Sequence, residues 1–229
     1  MKLVPILVVG LIAIGWSPTI QAQSALSADA NTAVKIVEAR KANAALLRQY
    51  TWNSRTEIIV NGQVKDTRIE LVQYGPGGNP QRTLLNDQGA PLPFGFLRRA
   101  IAESERQQMQ QYLTDLRGLL DQYTLPTAGK VLDFLTQATI AGIDPSGLVQ
   151  MTGRNVVVPG DTLSIWTDIR TQQTRRVQVN SSYRGNPVNM TGTFQTLFGG
   201  PNYMAFAEVT VPAKQLSVQV QNYDYIRTN

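Results

Sequence analysis

From Gly160 to Ile226 the apolar residues fall at every second position. Val188, Met190, Phe194 and Phe198 share one parity. Tyr203, Ala205, Ala207, Val209 and Val211 share the next, and Leu216, Val218 and Val220 follow. A period of two belongs to a strand with one face buried and the other wet. Turn residues cut the stretch at near-even spacing, at Pro159-Gly160-Asp161, Thr171-Gln172-Gln173-Thr174, Gly185-Asn186-Pro187, Gly199-Gly200-Pro201-Asn202 and Pro212-Ala213. Turns this short join neighbouring strands, so the pattern predicts a five-stranded antiparallel meander. Gly192 takes an inward place between Met190 and Phe194, which marks a bend in the sheet.

Upstream the period changes. Over residues 27–48, Ala30, Val34, Val37, Ala44, Ala45 and Leu47 form a helical stripe, with Ser27 or Asp29 to cap its start. Tyr50 to Tyr74 returns to strands around Asn61-Gly62, a pair that demands a two-residue hairpin turn. Counting back from that turn sets Val60 against Gln63, Ile58 against Lys65, Thr56 against Thr67 and Trp52 against Leu71. One face then carries Trp52, Ile58, Val60, Ile69 and Leu71. The other, wet face carries Arg55, Glu57, Asp66, Arg68 and Glu70.

Glycine and proline punctuate residues 75–80, Gln81–Leu85 predicts a third strand, and residues 86–96 a loop. Leu97–Tyr123 has the helical period through Ile101, Met109, Leu113, Leu116 and Leu120, with Arg98, Arg99, Glu103 and Arg106 on its exposed side, and stops before Pro126. A third helix is expected over Lys130–Ala141. Its Val131, Leu132, Phe134, Leu135, Ala138 and Ile140 cover more than half the circumference, which predicts burial from more than one side. Two short strands split by Gly153 lead into the meander. Strands at both ends with helices between them predict an α+β fold, one continuous sheet with the helices on its concave face.

Composition narrows the chemistry. The 229 residues contain no cysteine and no histidine. That removes disulfides, the commonest general base, the commonest zinc ligand and the Ser-His triad together. Met1-Lys2, the apolar run Leu3–Trp16 and the polar Ser17-Pro18-Thr19-Ile20-Gln21-Ala22 make the three-part pattern of a secretory signal. The run is short of the roughly 20 residues that span a bilayer. Cleavage after Ala22 is therefore expected. It leaves residues 23–229 as one domain in the periplasm, or secreted, after Sec-type export, with no permanent membrane anchor. Losing Lys2 lowers the net charge from +5 to +4. The arginines are scattered rather than striped, which argues against a nucleic-acid partner.

The remaining acid and base candidates are poor. Glu57 and Asp66 each have an arginine in reach, so nothing separates their pKa values for acid–base work. Asp161 and Asp168 stand near opposite ends of one strand, and neither Lys65 nor Lys214 has a serine at a telling spacing. No catalytic residue, metal or cofactor is expected, and the protein reads as a non-enzyme.

The helix, then the hairpin with Tyr50-Thr51-Trp52-Asn53-Ser54-Arg55-Thr56-Glu57, the central helices, and the closing meander with Ile165-Trp166-Thr167-Asp168 resemble, in order, the LolA/LolB-like periplasmic superfamily. The chain is also similar to exported bacterial proteins with Pro159-Gly160-Asp161-Thr162 and Val211-Pro212-Ala213-Lys214 at the corresponding places. The resemblance implies a strongly curved, incomplete antiparallel β-barrel with helices at its mouth and a cavity for acyl chains. On this reading Met190, Phe194, Phe198, Tyr203 and Val218 line the cavity wall and Leu132 and Leu135 form its lid. An acyl chain buried there gains about 0.8 kcal/mol per methylene. The partner is then a lipid or lipidated protein. The alternative is a closed core and an envelope protein partner, met through a sheet edge or the wet face at Arg55, Glu57, Arg68 and Glu70.

Overall fold

The computed structural model describes residues 30–76, 78–87, 96–125 and 127–228. The expected signal segment, the caps at Ser27 or Asp29, the loop over 88–95 and the stop at Pro126 lie outside the described residues. So do the side chains of Ala30, Arg98, Arg99, Ile101, Glu103 and Arg106. In chain order the elements are α1 (Ala30–Leu47), β1 (Tyr50–Val60), β2 (Gln63–Tyr74), β3 (Pro80–Asp87), α2 (Phe96–Asp121), α3 (Ala128–Gln137), β4 (Thr139–Ile143), β5 (Leu148–Arg154), β6 (Thr162–Asp168), β7 (Thr174–Tyr183), β8 (Asn186–Thr196), β9 (Asn202–Val211) and β10 (Leu216–Arg227). Among the described residues no helix is long and apolar enough to cross a membrane.

All ten strands join one open sheet in the order β3-β2-β1-β10-β9-β8-β7-β6-β5-β4, every neighbouring pair antiparallel. The late strands stand where the period of two placed them, and the first hairpin adds to the last strand. Gly153, Leu163, Val179, Met190, Val209, Val218 and Ile58 oppose one another in a transverse row. The next row runs Met151, Ile165, Val177, Gly192, Ala207, Val220 and Thr56. These rows make the concave floor. Ala33 and Ile36 of α1, Leu113, Leu116 and Leu120 of α2, and Val131 and Phe134 of α3 complete the core with it. Each fully buried aliphatic side chain contributes about 1.5–3 kcal/mol.

The hairpin register departs from the count. Val60 faces Gln63 and Ile59 faces Val64, but Ile58 faces Asp66, Thr56 faces Arg68 and Trp52 faces Val72. Lys65 is the extra residue of a β-bulge. One unpaired residue moves everything beyond it to the opposite face, because the side-chain period is two. Asp66, Arg68 and Glu70 therefore share the concave face with Thr56 and Ser54, not the wet face with Arg55 and Glu57. Glu57 and Asp66 lie on opposite sides of the sheet, so they form no acid–base pair.

Three further expectations are corrected. First, α1 turns Ala33, Ile36 and Arg40 inward and leaves Val34 exposed. Polar anchors set this rotation. Arg40 donates to the Thr124 and Leu125 carbonyls at 2.9 and 2.7 Å. Asn43 exchanges hydrogen bonds with the Asn202 backbone at 2.8 and 2.9 Å. Burial lowers the Arg40 pKa to about 10. Second, α3 ends at Gln137, and Thr139–Ile143 becomes the exposed edge strand β4. Its β-branched residues pair with the free edge of β5, and α3 buries one side only, at Val131 and Phe134. Third, Gly153 lies inside β5 rather than between two strands. An added Cβ there would come within 2.8 Å of the Phe134 ring.

Polar clamps tie the helices to the sheet. Buried Asp161 accepts the backbone N–H groups of Val156, Val157 and Val158 at 2.6, 2.8 and 2.7 Å. Its Oδ2 also accepts the Tyr123 hydroxyl at 2.6 Å. Asp115 on α2 accepts from the Tyr183 hydroxyl and from Arg184, each at 2.9 Å.

Asp168 organises the β6–β7 turn. It accepts from the Arg170 and Thr171 N–H groups at 2.9 and 3.0 Å and pairs with Arg175 at 3.4 Å. Burial alone would raise its pKa, but the Thr171, Arg170 and Arg175 bonds outweigh it and hold the carboxyl below its usual range. The folded value is depressed, so the stabilisation is complete above about pH 4, the ordinary carboxylate value, and is lost as pH falls through the folded one. Chemical denaturation across the acid range is expected to show a shallower loss of stability in Asp168→Asn than in the wild type. Parallel acid limbs for the two proteins would contradict this.

Candidate functional site

Across β10, β1 and β2 the concave floor changes character. The aliphatic rows run into Asp66 and Arg68, and Ser54 stands opposite both Asn222 and Glu70. Ion pairs neutralise the charges. Arg68 meets Asp66 at 3.0 Å, and Arg82 of β3 meets Glu70 at 2.8 Å. Glu70 is only 5 % exposed. The Ser54 and Thr56 hydroxyls are buried with no hydrogen-bond partner among the described residues. Each such orphan costs about 1–3 kcal/mol, and an apolar floor would not carry it. Arg55 and Glu57 pair with each other on the outer face.

Beside this polar sector lies a row of aromatics. Trp52 stacks on Tyr225 with ring centroids 5.3 Å apart and tilts against Tyr74 at 5.8 Å. Tyr225 meets Tyr203 at 4.1 Å. Trp52 and Val72 are buried yet stand apart from the main core cluster, and the three tyrosines are half-buried. Burial pushes the Tyr225 phenol well up, and Tyr203 and Tyr74 add to it. Burial also raises Tyr74, against the pull of Arg48 and Arg82. Flat rings in contact make a wall that can take an apolar body.

The expected lining residues are not brought together as one cavity wall. Met190 and Val218 join through Val209 in one row, and Phe194 opposes Met204. All three are buried in the core under the helices. Leu132 and Leu135 are partly buried against that core. Tyr203 meets Tyr225 instead and, opposite exposed Gln195, faces away from the side that Met204 and Phe194 share. Phe198 lies past the end of β8 in the turn before β9 and is fully exposed, at 107 %, so it lines nothing. A cavity of about 120 Å³ does lie under α3, between Leu125, Phe134, Gly153 and Val156. It touches none of the expected residues and falls short of the roughly 300 Å³ of a small-ligand pocket. Among the described residues no group of three or more His, Cys, Asp or Glu is placed to hold a metal ion.

Sequence reasoning missed the aromatic row because its members come from three strands, each with one ring. Tyr74 and Tyr225 sit at strand ends, where alternation gives no warning. The bulge hid the polar floor.

Fold and site define an α+β protein on an open, curved antiparallel sheet with helices on its concave face. No protein-family model matches the chain, and no curated protein matches it. Two solved structures are similar to it. A DUF1329 family protein from Desulfovibrio piger has 9% identity, covering 82% of this chain and 92% of that one, at a TM-score of 0.36. A LolA superfamily protein from Nitrosomonas europaea has 10% identity, covering 92% and 94%, at a TM-score of 0.34. Overlaps this loose carry no argument about function.

Proposed function

We propose that this is an exported, non-catalytic protein, working as one unit over residues 23–229, that holds an apolar ligand such as a lipid or acyl chain on its concave face. The observation that supports this reading is the row Tyr225–Trp52–Tyr74, standing apart from the main core. A ligand enters with its chain along the rings. Its polar end lies toward the Ser54 and Thr56 hydroxyls and the Arg82–Glu70 pair. The deeper wall at Met190, Phe194 and Val218 becomes available only if the helices lift from the sheet. Native mass spectrometry of protein purified from its own cell envelope is expected to show a bound lipid, lost in Tyr225→Ala. Protein that carries no lipid, or that keeps it in Tyr225→Ala, would overturn the site.

A second reading, an envelope protein–protein module with a closed core, is favoured by one observation. Met190, Phe194 and Val218 are packed into the buried core. Here the partner is another envelope protein, and edge strand β4, exposed throughout, is its place of contact. Crosslinking from Gly142→Cys in cells, followed by pull-down, tests it. A clean blank there with lipid present in the mass spectrum selects the first reading.

A further inference from the structure

An antiparallel meander sends every second turn to the same end of its sheet. Neighbouring strands lie about 4.8 Å apart, so residues on successive turns of one rim stand roughly 10 Å from one another. At one rim those places hold Ile143 at the end of β4, Ile169 in the β6–β7 turn, Phe198 in the β8–β9 turn and Ile226 near the end of β10. All four are exposed, and Phe198 is bare. Its turn is fixed, with the Leu197 N–H donating to the Pro201 carbonyl at 3.0 Å and the Gly200 N–H to the Leu197 carbonyl at 2.9 Å. The tip is therefore held out rather than left to fold back.

The charges at this rim are uneven in what they are free to do. Arg48, Arg170 and Arg227 have no carboxylate partner among the described residues; Arg227 donates to the Gln49 side chain at 2.7 Å. The acids are each engaged by near neighbours, although Asp144 and Asp224 stay exposed. Asp144 accepts from the Ser146 N–H and hydroxyl and the Leu148 N–H. Asp168 is taken by its own turn and Arg175, and Asp224 accepts from Asn53 at 3.3 Å.

We infer that this rim docks on the surface of an anionic lipid bilayer, with Phe198 as the inserted tip. A protein partner would need a continuous apolar patch or groove. Here the apolar side chains are separate prongs, divided by polar and glycine residues such as Ser146-Gly147 and Gln172-Gln173. Lipid chains flow around single prongs, while arginines between them reach the phosphates and half-buried tyrosines sit at the headgroup level. The inference goes beyond the ligand reading and does not depend on a ligand on the concave face.

The chain has no cysteine, so Phe198→Cys and, at the opposite end of the sheet, Asn186→Cys each accept one environment-sensitive fluorophore. The full chain is mixed with vesicles of phosphatidylethanolamine and phosphatidylglycerol, or of phosphatidylcholine alone. The probe at 198 is expected to brighten and shift to the blue on the anionic vesicles only, and the probe at 186 to stay unchanged. Reversing two charges, Arg170→Glu with Arg227→Glu, is expected to weaken vesicle binding about ten-fold or more, since each arginine near such a surface contributes on the order of 1 kcal/mol. A silent probe at 198, equal responses at 198 and 186, an equal response to neutral vesicles, or a probe at 198 that responds only to an added envelope protein would each overturn the inference.

Discussion

Asp161→Asn is expected to lower the unfolding free energy by about 4 kcal/mol, because hydrogen bonds to a buried charge are each worth about 1.5–3 kcal/mol and this carboxylate accepts four. The three backbone donors of Val156, Val157 and Val158 converge on one side chain that is 1 % exposed. Asparagine keeps one acceptor oxygen and turns an NH2 group toward donors, so at least one N–H is left without a partner in a buried place. The damage does not stay in the loop. Tyr123, which follows α2, is held by the same carboxylate and by Ser181 of β7 at 2.8 Å. Tyr123→Phe removes one bond to the charge and is expected to cost about 2 kcal/mol. The two substitutions share a partner, so the double variant is expected to lose less than the sum of the singles. Guanidinium denaturation of the four proteins measures this. Full additivity would mean that Tyr123 and Asp161 are not one unit.

The sheet was legible because alternation is a local signal and the meander's contacts join neighbours in sequence. Val188, Met190, Val209 and Val218 advertise one face, and the turn residues between them fix which strand follows which. One continuous sheet followed from strands at both ends of the chain, but the pairing of β1 with β10 did not. What did not show was anything decided by one residue's worth of backbone. Ile140 looks like one more apolar position on a helix, but after Gln137 the chain finds the open edge of β5 and extends along it. Phe198 keeps the parity of Met190 and Phe194 although β8 has already ended at Thr196. For the site the gap was wider. An aromatic row across three strands leaves no periodic trace, and small hydroxyls at Ser54 and Thr56 read as the wet side of any strand.

The bulge at Lys65 is where this blindness has its largest consequence, and deleting that residue is expected to lower stability by about 3 kcal/mol. With Lys65 gone, the Asn61-Gly62 turn pairs its strands in the simple register. Every β2 residue from Asp66 onward then changes face. Val72, fully buried in the native sheet, would turn to solvent, at a loss of about 1.5–3 kcal/mol. Glu70 would leave the concave side, and the aromatic row would lose Tyr74 from beside Trp52. The chain can keep the native faces only by giving up a residue from a turn that requires positive φ at Asn61 and Gly62. Either route is costly. Lys65→Ala keeps the extra residue and removes only an exposed charge, so it is expected to stay within about 0.5 kcal/mol of the wild type. Denaturation midpoints of the two variants separate backbone from side chain. Equal stability of the deletion and the wild type would show that the register of β2 is not fixed by this residue.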